Sequence, residues 1–192
     1  MNFLSNFTYE LTQLIELSKQ HMHVVAMIVG ALWLVHLVNA AIGYRLNILG
    51  ILPRTPQGLA GIPCSPFLHG NFTHLLFNSV PLFLLIHLML LVVPTKFYLV
   101  SVYIIGLSGA AVWLVGRRAL HIGASSVILG YWGFLIMNIK GQPAALAVLL
   151  AFVCLYYLGG LVGSLFPGNA SESWEGHVAG FVSGIFISYL IN

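Results

Sequence analysis

Two short polar stretches interrupt a strongly apolar sequence, and each contains a side chain suited to covalent catalysis. The stretch HIGASS places Ser125 at the start of one apolar segment, and GHVAGFVSG places His177 at the start of another. A serine hydroxyl is a weak nucleophile at neutral pH and reacts only when a neighbouring base takes its proton. We therefore interpret Ser125 and His177 as a candidate nucleophile and its general base.

A third polar stretch, HGNFTHLLFNS, could supply the electrostatic part of the same chemistry. His74 and Asn78 are four residues apart, so in a helix they lie on one face, and both side chains can donate hydrogen bonds. A tetrahedral intermediate of acyl transfer needs donors directed at its oxyanion. The backbone N–H of Ser125, unpaired at a helix start, is a further candidate donor. We therefore predict an oxyanion hole formed by this N–H, His74 and Asn78.

Each of these residues also has a simpler explanation. Serine is a common N-cap residue, so Ser125 could merely begin a helix. His74 and Asn78 could tie helices together within a membrane, and His177 could be an interfacial histidine whose tip is in water. The sequence contains no aspartate, so the third member of a triad cannot be aspartate. The catalytic hypothesis is therefore a serine–histidine dyad.

The composition indicates that a membrane surrounds these residues. Of the 192 residues, 59% are hydrophobic and only 6% are charged, whereas a soluble domain carries about 25% charged residues. The formal charge of +3 is spread thinly, so we expect no nucleic-acid partner. Residues 1–20 contain Glu10, Glu16 and Lys19 and lack the apolar core of a signal peptide. We expect them to form a short amphipathic lead-in.

The apolar segments predict an all-α polytopic membrane protein with six transmembrane helices in a single domain, residues 1–192. A helix needs roughly 20 apolar residues to cross about 30 Å of hydrocarbon. The candidate segments are 23–43, 74–93, 97–115, 125–139, 144–166 and 176–191. The fourth is short, at about 22 Å for its length. We expect residues 116–123 to form a re-entrant loop that carries Ser125 below the membrane surface.

In a six-helix antiparallel arrangement, the second, fourth and sixth helices begin at the same membrane face. His74, Ser125 and His177 would then lie on one side of the bilayer at similar depth. The distribution of lysine and arginine does not settle which side this is. The sixth helix also carries a stripe of small residues, predicted to let another backbone approach closely, at Gly176, Gly180 and Gly184.

The three motifs, in this order and each at a helix start, make the chain resemble the rhomboid intramembrane serine proteases of the minimal six-helix bacterial form. The resemblance implies that Ser125 is the nucleophile, that His177 is the general base, and that His74 and Asn78 line the oxyanion hole. It also implies cleavage of transmembrane segments of other proteins near the outer face. Such protein substrates enter laterally from the lipid bilayer, between the second and fifth helices, beneath a cap expected at residues 168–175.

The same resemblance implies an integral protein of the bacterial inner (cytoplasmic) membrane, with its active site open to the outer face. Three positions depart from the family pattern. Ser126 replaces the usual glycine after the nucleophile, Leu129 replaces an aromatic residue, and Tyr44-Arg45 is the nearest match to a Trp-Arg pair of the first outer loop. The alternative function is a catalytically weak or inactive rhomboid-like protein that binds membrane clients. Its usual signature, loss of the serine or the histidine, is absent here.

Further residues are candidates for a supporting role: Gly123 in the HIGASS motif, His69 near the start of the second helix, and His121 in the re-entrant loop. Glu175, two residues before His177, could orient the imidazole, but we expect it to be a surface charge of the cap. The chain has no HExxH pattern and its histidines lack metal-ligand spacing, so we predict no metal and no cofactor. No pattern in the sequence predicts the oligomeric state.

Overall fold

A computed structural model describes residues 3–157, 159–167 and 173–191. The described residues are helical apart from turns and one isolated antiparallel bridge between Ile51 and His121. Many large apolar side chains point outward from the helices, including Leu34, Val102 and Phe186. Such a surface suits lipid rather than water. The predicted all-α membrane fold is confirmed.

Seven α-helices are described, and shorter helical segments connect some of them. The helices are α1 (Phe3–Ala41), α2 (Pro56–Cys64), α3 (Phe72–Val92), α4 (Phe97–Val115), α5 (Ser125–Met137), α6 (Ala144–Ala151) and α7 (Trp174–Ile191). The shorter segments are 3₁₀ turns at Arg45–Leu49 and Ser65–Phe67, a π-helical turn at Phe152–Tyr157 and a 3₁₀ segment at Gly159–Leu165. We call the last two together with α6 the fifth segment.

Three helices, α1, α3 and α4, are long and apolar enough to cross a bilayer, and the fifth segment is a fourth span if its bent halves are counted together. The axes of the two parts of the fifth segment, Ala144–Tyr156 and Gly159–Leu165, are bent by 44° relative to each other. Helix α5 has 13 residues and is apolar but short, as the sequence predicts for the fourth helix. The count of six spans stays a prediction, because α5 is too short for a full span and α7 is not among the helices that are both long and apolar enough.

Two elements differ from the sequence-based expectation. The amphipathic lead-in is continuous with the first span, so that α1 has 39 residues and is about 58 Å long, well beyond the roughly 30 Å hydrocarbon core. No helix is predicted between the segments 23–43 and 74–93, but this stretch contains α2. Thr55 caps this helix, its hydroxyl accepting from Gly58 N–H at 3.1 Å, and Pro56 follows at the first helical position, where proline is favoured.

Helix α5 lies at the centre of the fold and packs most closely on α7. A Cβ atom on Gly180 would collide with the carbonyl oxygen of Ser126, and one on Gly184 would collide with the carbonyl oxygen of Gly130. The predicted stripe therefore admits a neighbouring backbone at these two glycines. Gly176 differs, since a Cβ there would meet the side chain of Ser173 in its own helix turn. The α5–α7 contact fixes the separation of the two helices that carry Ser125 and His177.

Candidate active site

Ser125 is the first residue of α5, but it does not cap that helix. The N-cap position is Ala124, and no side chain forms a capping hydrogen bond there. The simplest structural explanation of Ser125 is therefore wrong. Its half-buried side chain lines a cavity of about 20 Å³ that also contacts Gly123, Ser126 and Gly176. This volume is enough for about one water molecule.

His177 lies in the first turn of α7, with 9% of its surface exposed. Its Nδ1 is 3.0 Å from the carbonyl oxygen of Ser164 in the fifth segment. A carbonyl oxygen can only accept, so Nδ1 carries the proton and Nε2 keeps its lone pair. This tautomer is the one that a general base requires, with its acceptor nitrogen available for a hydroxyl proton.

His74 and Asn78 converge on the backbone just before Ser125. A Cβ atom on Gly123 would lie 2.7 Å from His74 Nε2 and 3.6 Å from Asn78 Nδ2, so both nitrogens face this glycine. Gly123 has φ +116°, a conformation that residues with a side chain rarely adopt. Its N–H donates to the Ser65 carbonyl at 2.9 Å, which fixes the loop. The structure thus brings Gly123, His74 and Asn78 together.

The two sides of the candidate site also meet. Gly123, which faces His74 and Asn78, lines the same cavity as Ser125 and as Gly176, the residue before His177. Asn78 is oriented by its own helix, because Nδ2 donates to the His74 carbonyl at 3.1 Å. Among the described residues, no hydrogen bond joins the Ser125 hydroxyl to His177. Such bonds are often long in an enzyme without substrate and shorten when it binds.

His69 supports the site from behind and does not line it. It has no exposed surface, and its ring packs edge-on against His74 with centroids 5.1 Å apart. Burial, with smaller contributions from His74 and His36, lowers the pKa of His69 to about 3. The ring is therefore neutral at physiological pH. Both ring nitrogens are buried and make no hydrogen bond of standard geometry within the described ranges, although the Phe67 backbone is close enough to oppose part of the fall in pKa.

His121 connects the loop at residues 116–123, which is predicted to be re-entrant, to the start of α7. Its Nδ1 is 2.6 Å from the Ser173 hydroxyl, and its Nε2 is 3.0 Å from the Arg117 carbonyl oxygen. Its backbone pairs with Ile51 through two hydrogen bonds of 2.9 and 3.0 Å. His121 therefore orders the loop, as expected, but it also reaches the helix that carries His177.

The expectation that Glu175 is a surface charge is wrong. Its side chain is only 11% exposed, and Oε1 accepts from the Arg117 backbone N–H at 3.3 Å and lies 3.6 Å from the Arg117 Nε. An isolated buried carboxylate would be costly, so the arginine compensates it. Sequence reasoning overlooked Arg117 and Ser173, because neither lies in a recognisable motif.

The departures from the family pattern have structural counterparts. Leu129 is buried in the core, and Arg45 lies in the 3₁₀ turn after α1. A different arginine, Arg54, anchors the connection between α1 and α2, donating to the carbonyls of Leu114 at 3.1 Å and Gly116 at 2.8 Å. It binds the free carbonyl end of α4, where a cation is favourable.

The expected cap lies largely outside the described residues, since 168–172 are not among them. The lateral route by which substrates are expected to enter runs beside the fifth segment. The glycines of this segment are not in close contact with a neighbouring helix. A Cβ atom on Gly159, Gly160 or Gly163 would meet nothing within 4 Å.

The start of the fifth segment is held by Glu10 of α1, whose Oε2 accepts from the Ala145 N–H at 2.9 Å. Within the described ranges, no group of three His, Cys, Asp or Glu residues could hold a metal ion.

A family model described as Rhomboid domain matches residues 57–192. The chain belongs to the rhomboid family. The predicted resemblance is confirmed, and with it an integral membrane protein. The match contains every residue that we place in the candidate site, from His69 to His177.

Curated relatives of this rhomboid come from mycobacteria. Uncharacterized proteins of Mycobacterium bovis and Mycobacterium tuberculosis are each 34% identical over 173 residues, covering 85% of this chain and 72% of theirs. An uncharacterized protein of Mycobacterium leprae is 30% identical over 169 residues, covering 84% of this chain and 67% of its own. The similarity extends over most of the rhomboid, N-terminal to the matched domain as well.

Proposed function

We propose that this rhomboid is an intramembrane serine endopeptidase that cleaves transmembrane segments of other membrane proteins. The observation that carries the proposal is the hydrogen bond between His177 Nδ1 and the Ser164 carbonyl. This hydrogen bond leaves Nε2 of His177 free of a proton, so that Nε2 can accept one as a general base. His177 is on α7, which packs against α5, and α5 begins at Ser125. His74 and Asn78 approach the same place from α3, where an oxyanion would form.

The proposed reaction uses two steps. The Ser125 hydroxyl attacks the carbonyl carbon of the scissile peptide bond while His177 Nε2 takes its proton. The oxyanion accepts hydrogen bonds from the Ser125 N–H, His74 and Asn78. His177 then gives its proton to the leaving amine, and the C–N bond breaks to leave an ester on Ser125. In the second step His177 deprotonates a water, which hydrolyses the ester and restores the serine.

The proposed substrates are single helices of other membrane proteins that enter from the lipid between α3 and the fifth segment. Cleavage needs an extended peptide bond, so the client helix must unwind near the site. We place the protein in a bacterial inner membrane with the site open to the outer face, as its family resemblance implies. The small cavity beside Ser125 supports this chemistry, since hydrolysis needs water below the membrane surface.

A second candidate function is binding of membrane clients without cleavage. Two observations favour it: no described hydrogen bond joins Ser125 to His177, and Ser126 places a hydroxyl group where the family usually has glycine. Such a protein would retain the fold and the lateral route for clients. It would lack an activated serine.

A serine-reactive fluorophosphonate probe separates the two functions. The purified protein in detergent is labelled as wild type, Ser125→Ala, His177→Ala and the neighbouring control Ser126→Ala, each checked for folding by thermal unfolding. We expect labelling of wild type and Ser126→Ala and none of the other two. Folded wild type that does not react would favour client binding, and labelling that persists in Ser125→Ala would show that another serine reacts.

A further inference from the structure

The first turns of α5 and α7 carry Ser125 and His177, so the distance between these two helix starts must be fixed for the proposed reaction. The glycine contacts between these helices lie at Gly180 and Gly184, inward of the site. Ser125 and His177 lie at the helix starts, beyond these contacts. A displacement of about 1 Å at a catalytic group can reduce a rate about 100-fold. The contacts that join the re-entrant loop to α7 are therefore of functional interest.

The hydrogen bonds of His121 form a directed chain. The Arg117 carbonyl can only accept, so His121 Nε2 carries the proton and Nδ1 accepts from the Ser173 hydroxyl. The Ser173 hydroxyl oxygen in turn accepts from the Gly176 N–H at 3.2 Å. The Ser173 carbonyl accepts from the N–H of His177 at 3.1 Å. His121 thus holds the residue that holds the backbone of the candidate base.

Glu175 makes a second connection between the same two elements. It binds Arg117 through the backbone N–H and the guanidinium group, while His121 binds the Arg117 carbonyl. Both connections therefore converge on one loop residue. Oε2 of Glu175 is buried and has no hydrogen-bond partner in the described part of the chain. Burying a carboxylate costs free energy, so a residue needed only to make the loop hydrophilic would be expected at the surface.

We propose that His121 and Glu175 are positioning residues, which fix the start of α7 to the re-entrant loop and thereby fix His177 relative to Ser125. This inference rests on the proposed function. Neither residue exchanges a proton with the substrate. Each acts through a neighbouring residue: His121 through the Ser173 hydroxyl, and Glu175 through the backbone N–H and guanidinium group of Arg117. We call these four residues the loop–α7 link.

The test compares variants that break and preserve the link. His121→Phe keeps the ring volume and removes both side-chain hydrogen bonds, whereas His121→Gln retains a donor and an acceptor. Ser173→Ala breaks the same contact from the other side, in case the phenylalanine variant does not fold. Glu16→Gln is a control for a change remote from the link, because it removes an ion pair to Lys19 that is largely exposed, with side-chain exposures of 63% and 67%. Such a pair contributes little.

Two quantities are measured on each full-length variant in detergent. Amide hydrogen exchange reports on the link directly, and we expect faster exchange of the Gly176 and His177 amides in His121→Phe, with residues 181–191 unchanged. The maximal rate of fluorophosphonate labelling reports on the base. We expect it to fall about 10- to 100-fold in His121→Phe, with unchanged probe affinity, and to return to within a few-fold of wild type in His121→Gln.

The double variant His121→Phe/Ser173→Ala should slow labelling by less than the product of the two single effects, because both changes remove the same hydrogen bond between His121 and Ser173. Unchanged exchange in both His121→Phe and Ser173→Ala would overturn the link itself, whatever the activity. Faster exchange with unchanged labelling would overturn the positioning role. If folded wild type is not labelled, the proposed function fails and the positioning role fails with it, while hydrogen exchange still decides whether the link exists.

Discussion

Replacing Gly123 by alanine tests the proposed oxyanion hole more sharply than removing a side chain does. Gly123 has φ +116°, so alanine there adds backbone strain of about 1–3 kcal/mol. The added Cβ would also lie 2.7 Å from His74 Nε2 and 2.8 Å from Cε1, closer than real Cβ contacts allow. The imidazole must therefore move away from the position where an oxyanion would form.

The expected effect on rate follows from the loss of one donor. Removing one oxyanion donor typically reduces the rate about 10²- to 10³-fold, and we expect labelling by the fluorophosphonate to slow by that order. The tetrahedral adduct carries an oxygen in the position of the oxyanion, so the labelling rate is sensitive to the hole. Unfolding in mixed micelles, followed by tryptophan fluorescence, measures the accompanying loss of stability.

Gly141→Ala is the matched control for backbone strain. Gly141 has φ +98° in the turn between α5 and α6, and a Cβ there would meet nothing within 4 Å. Both variants should therefore lose free energy of unfolding through backbone strain, with a further loss in Gly123→Ala from the contact with His74, but only Gly123→Ala should lose reactivity. Equal labelling rates in the two folded variants would refute the assignment of His74 to the oxyanion hole.

Three further predictions concern stability. Because the pKa of His69 is lowered from 6.5 to about 3, the unfolded chain binds a proton that the folded chain does not, and wild type should lose about 1.4 kcal/mol per pH unit as pH falls below 6.5. His69→Phe should flatten this acid limb, and an unchanged slope in unfolding measured from pH 7.5 to 4.5 would contradict the assignment. Arg54→Ala should lose about 1–3 kcal/mol through its two carbonyl contacts, with part recovered in Arg54→Lys, as measured by unfolding in mixed micelles. Gly184→Ala should cost about 1–3 kcal/mol by forcing α7 from α5, whereas Gly30→Ala, in open space on α1, should be neutral or stabilising in the same assay.

The sequence contains the fold class and the candidate residues because both are expressed locally. Long apolar runs identify α3 and α4 almost to the residue, since a bilayer admits few alternatives to helices. The polar motifs stand out because ionisable and amide side chains are rare within such runs. His74, Asn78 and Ser125 could therefore be selected without coordinates.

What the sequence does not reveal are contacts between distant residues. Glu175 pairs with Arg117, 58 positions away, and nothing in the local pattern distinguishes this buried carboxylate from a surface charge. Arg54 is a second example, because it donates hydrogen bonds to carbonyls at the end of α4, about 60 positions away. The α2 helix was obscured by its glycines and prolines, although a threonine followed by proline is a recognised helix start.

The partner of the candidate base is a main-chain oxygen, and this has a consequence for genetics. Substituting residue 164 changes a side chain but leaves the carbonyl that orients His177 in place. Under the proposed mechanism, a library of single substitutions would therefore detect Ser125 and His177 but would not detect the group that orients His177. Evolution could vary that residue freely for the same reason. Only a change in the path of the backbone, such as an insertion or deletion between 159 and 165, would expose its contribution.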